Sequence, residues 1–437
     1  LDMSVEIISI IVLFVCFFGL LMIKVPIAYS IGISTTLSLL LNIDTLPGVT
    51  TIAQRMTTGI DSFALLAIPF FILAGEIMKR GGIANRLINF AKSIVSSLPG
   101  GLGYVNVVAS MFFGAISGSA LAAASAIGSI MTDRMEEEGY PRTLSASVNI
   151  TASTTGLLIP PSNILIIYAI ASGGVSVAAL FVAGYLPGIL LGIALMLVCT
   201  VFAIKNKYPI QARLPLSVAL SKIVAALPSL FLIFIIIGGI IGGVFTATEA
   251  GAVAVLYAFT LAVFVYKEIP LSRIPEIMLK ACETTAIVML IIGASSAMSW
   301  LLSYAHIPQT ISDFFLTLSE NPILILLMIN LILIVVGAFV DMTPAVLIFT
   351  PIFMPVAMEM GMSPIQFGIM LVLNLSIGLV SPPVGSVLFV SCAVAKTSIH
   401  KIIKPMLPLY FVMFVVLMLV TYVPEISEVL PRFFNLL

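Results

Sequence analysis

The sequence predicts an all-α polytopic membrane protein made of two inverted-topology repeats, each with a re-entrant helical hairpin and a broken helix. Three observations carry this. Hydrophobic residues make up 61% of the chain and charged residues 9%, with a mean hydropathy of +1.24, more apolar side chain than a soluble surface could hide. An apolar segment is interrupted by Gly156-Leu157-Leu158-Ile159-Pro160-Pro161-Ser162, and the interruption recurs 222 residues later as Gly378-Leu379-Val380-Ser381-Pro382-Pro383-Val384. Lys and Arg flank the first hairpin, Leu102 to Thr132, and are missing from both flanks of the second, Pro322 to Met358, so the two copies enter the membrane from opposite sides.

In order, a first apolar run, Ile7 to Ile23, ends at Lys24. It lacks the basic region and small-residue cleavage site of a signal peptide and reads as a retained helix. A second run covers Val25 to Leu41. A loop with Asp44, Arg55 and Asp61 lies outside, and Ser62 to Met78 returns to the cytoplasmic Lys79-Arg80. Ile83 to Leu98 carries Arg86 and Lys92 among spaced apolar residues, the pattern of an interfacial amphipathic helix. The uncharged stretch from Leu102 to Thr132 has Ser117-Gly118-Ser119 at its centre and could be one long tilted span or a hairpin with its tip there. Basic residues on both flanks, Lys79 to Lys92 before and Arg134 and Arg142 after, favour the hairpin. The broken helix follows, then a span from Val177 to Ile204 and a basic loop with Lys205, Lys207, Arg213 and Lys222.

The second half replays this order. Leu227 to Phe245, Ala250 to Tyr266 and Thr284 to Leu302 are spans. Ser303 to Asn321 reads as a connection without Lys or Arg, and Pro322 to Met358 is a second hairpin with Asp341-Met342-Thr343-Pro344 at its tip. Phe367 to Ile377 and Gly385 to Ala395 flank the second break, and Met406 to Val423 is the last span. The predicted organisation is a first repeat at 1–204 (hairpin 102–133, broken helix 143–173), a cytoplasmic linker at 205–222 and a second repeat at 223–437 (hairpin 322–358, broken helix 365–395). That amounts to about 11 spans at roughly 20 residues each, plus two hairpins.

Irregular backbone at membrane depth is tolerated where it is buried in protein or lines a watery cavity, so the breaks and tips are the candidate site. Pro160, Pro161 and Pro382 lack an N–H, which leaves carbonyls of the preceding turn without helical partners, and Gly156 and Gly378 let the backbone turn. With the hydroxyls of Ser117, Ser119, Ser153, Thr154 and Thr155 on one side and Asp341, Thr343, Ser376 and Ser381 on the other, two oxygen-rich, largely neutral nests result. They suit a hard monovalent cation, read as sodium. The sodium-binding set is Ser117, Gly118, Ser119, Thr154, Thr155, Gly156, Pro160, Asp341, Thr343, Gly378, Ser381 and Pro382. The half-helices that start at Ser162 and Gly385 point partial positive charge at the same region, which suits an anionic substrate held by Ser119, Ser162, Asn163, Thr343, Gly385 and Ser386. Asp341 is the sharpest of these, since an acid at a tip within the membrane is costly unless it meets a cation.

Blander roles compete. Ser and Thr in membrane helices usually bond their own backbone, so Ser153 or Ser376 alone would not mark a site. Glu76 lies one turn from Lys79 and Arg80 and is expected to pair with them at the interface, while Glu249 is either structural or interfacial. Cys16, Cys199, Cys282 and Cys392 lie in apolar segments without metal-ligand or disulfide spacing, and Trp300 reads as packing material. Zero net charge without a basic block leaves nucleic acid an unlikely partner.

The residues also carry a resemblance. Ser62-Phe63-Ala64-Leu65-Leu66-Ala67-Ile68-Pro69-Phe70-Phe71-Ile72-Leu73-Ala74-Gly75-Glu76-Ile77-Met78, the Ser117-Gly118-Ser119-Ala120 tip, Gly139-Tyr140 and the Gly156 to Ser162 break are similar to the large membrane (M-type) subunit of TRAP, or tripartite ATP-independent periplasmic, transporters, over essentially the whole chain. The resemblance implies an elevator-type architecture of the ion-transporter superfamily, without cofactor beyond Na+ as coupling ion. It implies a sodium-driven importer of organic acids in the bacterial inner membrane, working with a small four-helix membrane subunit on a separate polypeptide and a periplasmic substrate-binding protein. Whole-chain similarity leans toward the sialic-acid type, with C4-dicarboxylate next.

Two other classes stay open. A stand-alone sodium- or proton-coupled exchanger would transport without a binding protein. A membrane-embedded enzyme lacks support, because there is no Ser/His/Asp set and no intramembrane cluster of His or Cys.

Overall fold

The computed structural model describes residues 3–210, 215–319, 321–382 and 385–437. Arg213 of the central loop and Pro383 and Val384 of the second break lie outside the described residues. Every described element is helical. Seven helices are long and apolar enough to cross a membrane, or up to nine if each bent pair is one span, by length and composition among the described residues. This differs from the expectation of about 11 spans plus two hairpins because Ile27–Leu39 and Pro364–Leu379 have only 10–17 residues, the latter stopping at a break, while both arms of the second hairpin, Pro322–Phe339 and Met342–Glu359, are long enough to count.

The element order recurs. Met3–Met22, Ile27–Leu39, the bent pair Thr45–Ile60 and Phe63–Arg80, the amphipathic Ile83–Val95, the hairpin arms Gly101–Ser117 and Ala120–Glu137, the broken helix Arg142–Leu158 and Asn163–Ala171, and Val177–Asn206 come first. Leu216–Ile241, Ala247–Val265, Leu271–Tyr304, Ile307–Leu318, Pro322–Phe339 and Met342–Glu359, Pro364–Leu379 and Ser386–Val394, and Ile399–Tyr422 follow in the same sequence, with a short tail helix Glu425–Phe433 added. Three expectations change. The loop expected to carry Asp44, Arg55 and Asp61 is mostly a helix, Thr45–Ile60. Ser303 to Asn321 is no plain connection, because Ile307–Leu318 is an amphipathic helix that buries Ile307, Pro308, Ser312 and Phe315. It stands where Ile83–Val95 stands in the first half. The third element also differs between halves, bent by 61° at Asp61-Ser62 in the first and continuous as Ile274–Tyr304 in the second.

Gly101–Ser117 and Ala120–Glu137 are two helices packed along each other, so the segment is a hairpin and not one tilted span. Residue chemistry builds its tip. Gly118 closes the first arm in the left-handed region (φ 62°), which a Cβ would disfavour, and the Ser119 hydroxyl accepts the Ala122 N–H at 3.2 Å as N-cap of the second arm. At the second tip the chain is extended at Val340 and Asp341, and Pro344 occupies the first turn of Met342–Glu359, where its missing N–H costs little.

Gly156 and Gly378 do not turn the backbone, contrary to the sequence expectation. Both lie inside helices, Thr155–Leu158 and Pro364–Leu379, and neither has positive φ. Their lack of a side chain serves close approach: a Cβ on Gly114 would meet the Gly156 Cα at 2.8 Å, and a Cβ on Gly337 would meet the Gly378 Cα at 3.1 Å. In each half the first hairpin arm is thereby pressed against the entering part of the broken helix. Between halves the packing is reciprocal. The first hairpin's second arm, Ala120–Glu137, packs on Ser386–Val394, and the second hairpin's second arm, Met342–Glu359, packs on Asn163–Ala171. This exchange brings the two tips together.

Candidate functional site

A cavity of ≈ 470 Å³ lies where the tips meet. Ser117, Gly118 and Ser119 of the first tip, Asp341 and Thr343 of the second, and Asn163 and Ser386 from the half-helices after the breaks all face it. Each of the four helices that start here contributes its first residue: Ala120, Asn163, Met342 and Ser386. Four N-termini therefore bring partial positive charge to one volume, a ready setting for an anion. The first tip sits against the first half-helix, since a Cβ on Gly118 would fall 2.8 Å from the Asn163 amide nitrogen.

Against that positive background stand two carboxylates. Asp341 occupies the N-cap position of Met342–Glu359, but its side chain makes no capping hydrogen bond, and among the described residues it enters no ion pair. Glu76 also lines the cavity, with Gly75, Lys79 and Thr284. Its expected pairing with Lys79 or Arg80 is not what forms: Arg80 bonds Glu276 at 2.7 Å instead, and Glu76 has no ion pair among the described residues. Gly75 explains how Glu76 comes so close, because a Cβ there would meet the Ser117 carbonyl oxygen at 2.9 Å. The Ser386 hydroxyl is buried without a hydrogen-bond partner, an orphan polar group that invites a ligand.

The chain matches the family described as "Tripartite ATP-independent periplasmic transporter, DctM component" over residues 14–426. It belongs to that family. Similar chains include "Uncharacterized protein YgiK" of Salmonella typhimurium, 51% identical over 97% of this chain and 98% of that one. The "C4-dicarboxylate TRAP transporter large permease protein DctM" of Pseudomonas aeruginosa is 40% identical over 93% and 95%, and the "Sialic acid TRAP transporter large permease protein SiaM" of Vibrio cholerae 38% over 95% and 97%. Among solved structures, the crystal structure of the Alcanivorax borkumensis YdaH transporter resembles it with a TM-score of 0.64 over 87% of this chain and 89% of that one, at 14% identity, a likeness of fold. A TRAP permease component is a transport protein of many membrane helices and not an enzyme.

In this TRAP permease the residues singled out from sequence separate into two groups. Ser117, Gly118, Ser119, Asn163, Asp341, Thr343 and Ser386 line the cavity. Thr154, Thr155, Gly156, Pro160, Ser162, Gly378, Ser381, Pro382 and Gly385 do not, and their polar groups are largely occupied. Thr154 and Thr155 donate to the Thr151 and Ala152 carbonyls at 2.7 and 2.6 Å, and Ser153 and Ser376 likewise bond their own helices, at 2.7 and 2.6 Å. Carbonyls of the breaks find side-chain donors: Ser162 reaches back to the Leu157 oxygen at 2.6 Å, and the Tyr410 hydroxyl of the last span donates to that of Val380. Ser381 donates to the Ile377 oxygen at 2.7 Å. Glu249 proves structural, forming a capping box with Thr246 in which its carboxylate accepts the Thr246 N–H at 2.8 Å.

Sequence reasoning missed Glu76, Lys79 and Thr284. Gly75-Glu76 closing an apolar run was the available signal, a small residue and an acid side by side at membrane depth.

Proposed function

We propose that this chain is the permease through which an organic acid enters the cell with sodium, and the observation that carries the reading is the cavity shared by two hairpin tips and two half-helix N-termini. An acid's carboxylate is held by the Asn163 amide, the Ser386, Ser119 and Thr343 hydroxyls, and the helix starts. Sodium is taken by oxygens on the tips, with Asp341 as the charged ligand and Ser117 and Ser119 beside it. The charge of the cation makes the carboxylate of Asp341 tolerable next to an anionic substrate, so each favours binding of the other.

The reading of the two halves as inverted repeats is supported by which loops meet. Arg86 reaches Glu268 at 3.4 Å and Arg80 reaches Glu276, joining two loops that the charge rule puts in the cytoplasm. Thr248 donates to the Phe63 oxygen at 3.0 Å, joining two assigned to the outside. With the tips and broken helices packed as one unit, an elevator displacement of that unit against Phe63–Arg80 and Ile274–Tyr304 is the transport step proposed. The setting is the bacterial inner membrane, with a small membrane subunit and a periplasmic binding protein as partners. Relatives named for C4-dicarboxylate and for sialic acid are about equally similar, at 40% and 38% identity, which removes the lean toward sialic acid and leaves the carboxylate as the recognised group.

The test is uptake of labelled succinate and N-acetylneuraminate into proteoliposomes holding this chain with a small subunit and binding protein. Accumulation that rises with an inward sodium gradient is expected. Accumulation indifferent to sodium would overturn the coupling, and full uptake by this chain alone would overturn the need for partners.

A further inference from the structure

Further along the helices that line the tip cavity lies a second cavity of ≈ 310 Å³. Asn163–Ala171 presents Ile164 and Ile167 to the first cavity and Ile170 and Ala171 to the second. Met342–Glu359 presents Thr343 to the first and Leu347 to the second. Ile274–Tyr304 gives Thr284 and Val288 to the first and Ser295, Ser299 and Trp300 to the second, an axial step of about 16 Å from Val288 to Ser299 at the α-helical rise. The two cavities are thus successive volumes on one line. Lys79 borders the first, and Arg55, on the helix Thr45–Ile60, borders the second.

The second cavity has the chemistry of an anion site. The Arg55 guanidinium lies 5.0 Å from the centre of the Trp300 ring and enters no ion pair among the described residues. Stacking of this kind fixes the guanidinium plane and leaves its N–H edge free for a carboxylate. Ser295 is 1% exposed, lines the cavity, and its hydroxyl has no hydrogen-bond partner. The buried Ser295 hydroxyl is an orphan that is costly without a ligand, and the exposed Arg55 guanidinium lines the same cavity. The volume falls in the range of small-molecule sites.

We propose that this second cavity is an outer binding site for a carboxylate anion, held by the Arg55 guanidinium and the Ser295 hydroxyl, from which the acid passes to the tip cavity. The inference rests on the organic-acid reading above and adds a station to it.

The chain's one tryptophan is Trp300, so its emission reports on this cavity and no other. Titration of the purified chain with succinate and with N-acetylneuraminate, in phosphatidylcholine nanodiscs without binding protein, is expected to give a saturable emission change with at least one acid. Arg55→Ala raises the half-saturation concentration at least about tenfold, Arg55→Lys by less, and Ser295→Ala about threefold, the scale of a charged and a neutral hydrogen bond. Asp341→Ala leaves this half-saturation in place. A flat titration with both acids overturns the site, as does an unchanged half-saturation in Arg55→Ala. A response to phosphatidylglycerol but to neither acid assigns Arg55 to a lipid headgroup and also overturns it. Sodium-driven uptake with a flat titration would remove the outer site alone, whereas a saturable response without sodium-dependent uptake would remove the coupled-transport reading alone.

Discussion

The two hairpin tips hold equivalent places in their halves and use their polar residues in opposite ways. At the first, Ser119 caps its own helix through the Ala122 N–H and Gly118 makes the turn, so the tip's polarity stabilises its fold. At the second, Asp341 has the N-cap position but makes no capping bond, and its carboxylate faces the cavity. One tip is structurally satisfied and neutral; the other carries a carboxyl that caps no helix and enters no ion pair among the described residues. The lesson is that an approximate two-fold relation of backbone does not impose a two-fold relation of chemistry, and the proposed coupling falls mainly on the second half.

Substitutions test that asymmetry, with the largest effect expected at Asp341. Asp341→Ala should lower sodium-dependent uptake by at least about tenfold, the loss of a charged contact, while the protein still inserts and elutes as a folded species. Uptake with normal sodium dependence would place the charge elsewhere, with Glu76 next. The glycine pairs come second and probe packing. Gly114→Ala drives a methyl group to 2.8 Å from the Gly156 Cα and should destabilise by about 1–3 kcal/mol, whereas Gly337→Ala, at 3.1 Å from the Gly378 Cα, should cost less than about 1 kcal/mol. Thermal unfolding in detergent compares the pair, and equal losses would refute the tighter fit of the first half. At Ser119, replacement by Ala removes an N-cap worth about 1 kcal/mol and should lower uptake severalfold with a matching loss of thermal stability. A fall in uptake without loss of stability would mean that the first tip, too, is devoted to its ligands. The smallest effect is expected from Thr155→Val, which removes a hydroxyl that bonds its own helix away from the cavity and should leave sodium affinity unchanged in uptake titrations.

Much of this was legible in the chain. Gly-x-x-x-Pro-Pro at two places, Ser-Gly-Ser and Asp-Met-Thr-Pro between apolar arms, and the uneven distribution of Lys and Arg located both tips and both breaks. These are local matters: a missing N–H, a positive φ and a charge at membrane depth act on the residues next to them. The same signals do not show that Thr154, Thr155, Ser162 and Ser381 bond nearby carbonyls away from the cavity, because a hydroxyl near a break can bond the carbonyl one turn back or a ligand across the cavity, and sequence spacing is the same for both. Glu76 was misread for a related reason. Lys79 and Arg80 lie within a turn of it, but Arg80 bonds Glu276, nearly two hundred residues away in the chain.

By itself, then, the sequence determined the class of protein, the order of its elements and the places where helices must stop, since hydrophobic transfer and backbone hydrogen bonding depend on composition and on near neighbours. Only the tertiary structure decided which polar groups share a volume. The reciprocal packing of Ala120–Glu137 on Ser386–Val394 and of Met342–Glu359 on Asn163–Ala171 brings four helix starts from both halves to one cavity, through contacts between elements far apart in the chain. It also turned Gly156 from a presumed hinge into a packing surface, because only the approach of Gly114 shows why no side chain fits there.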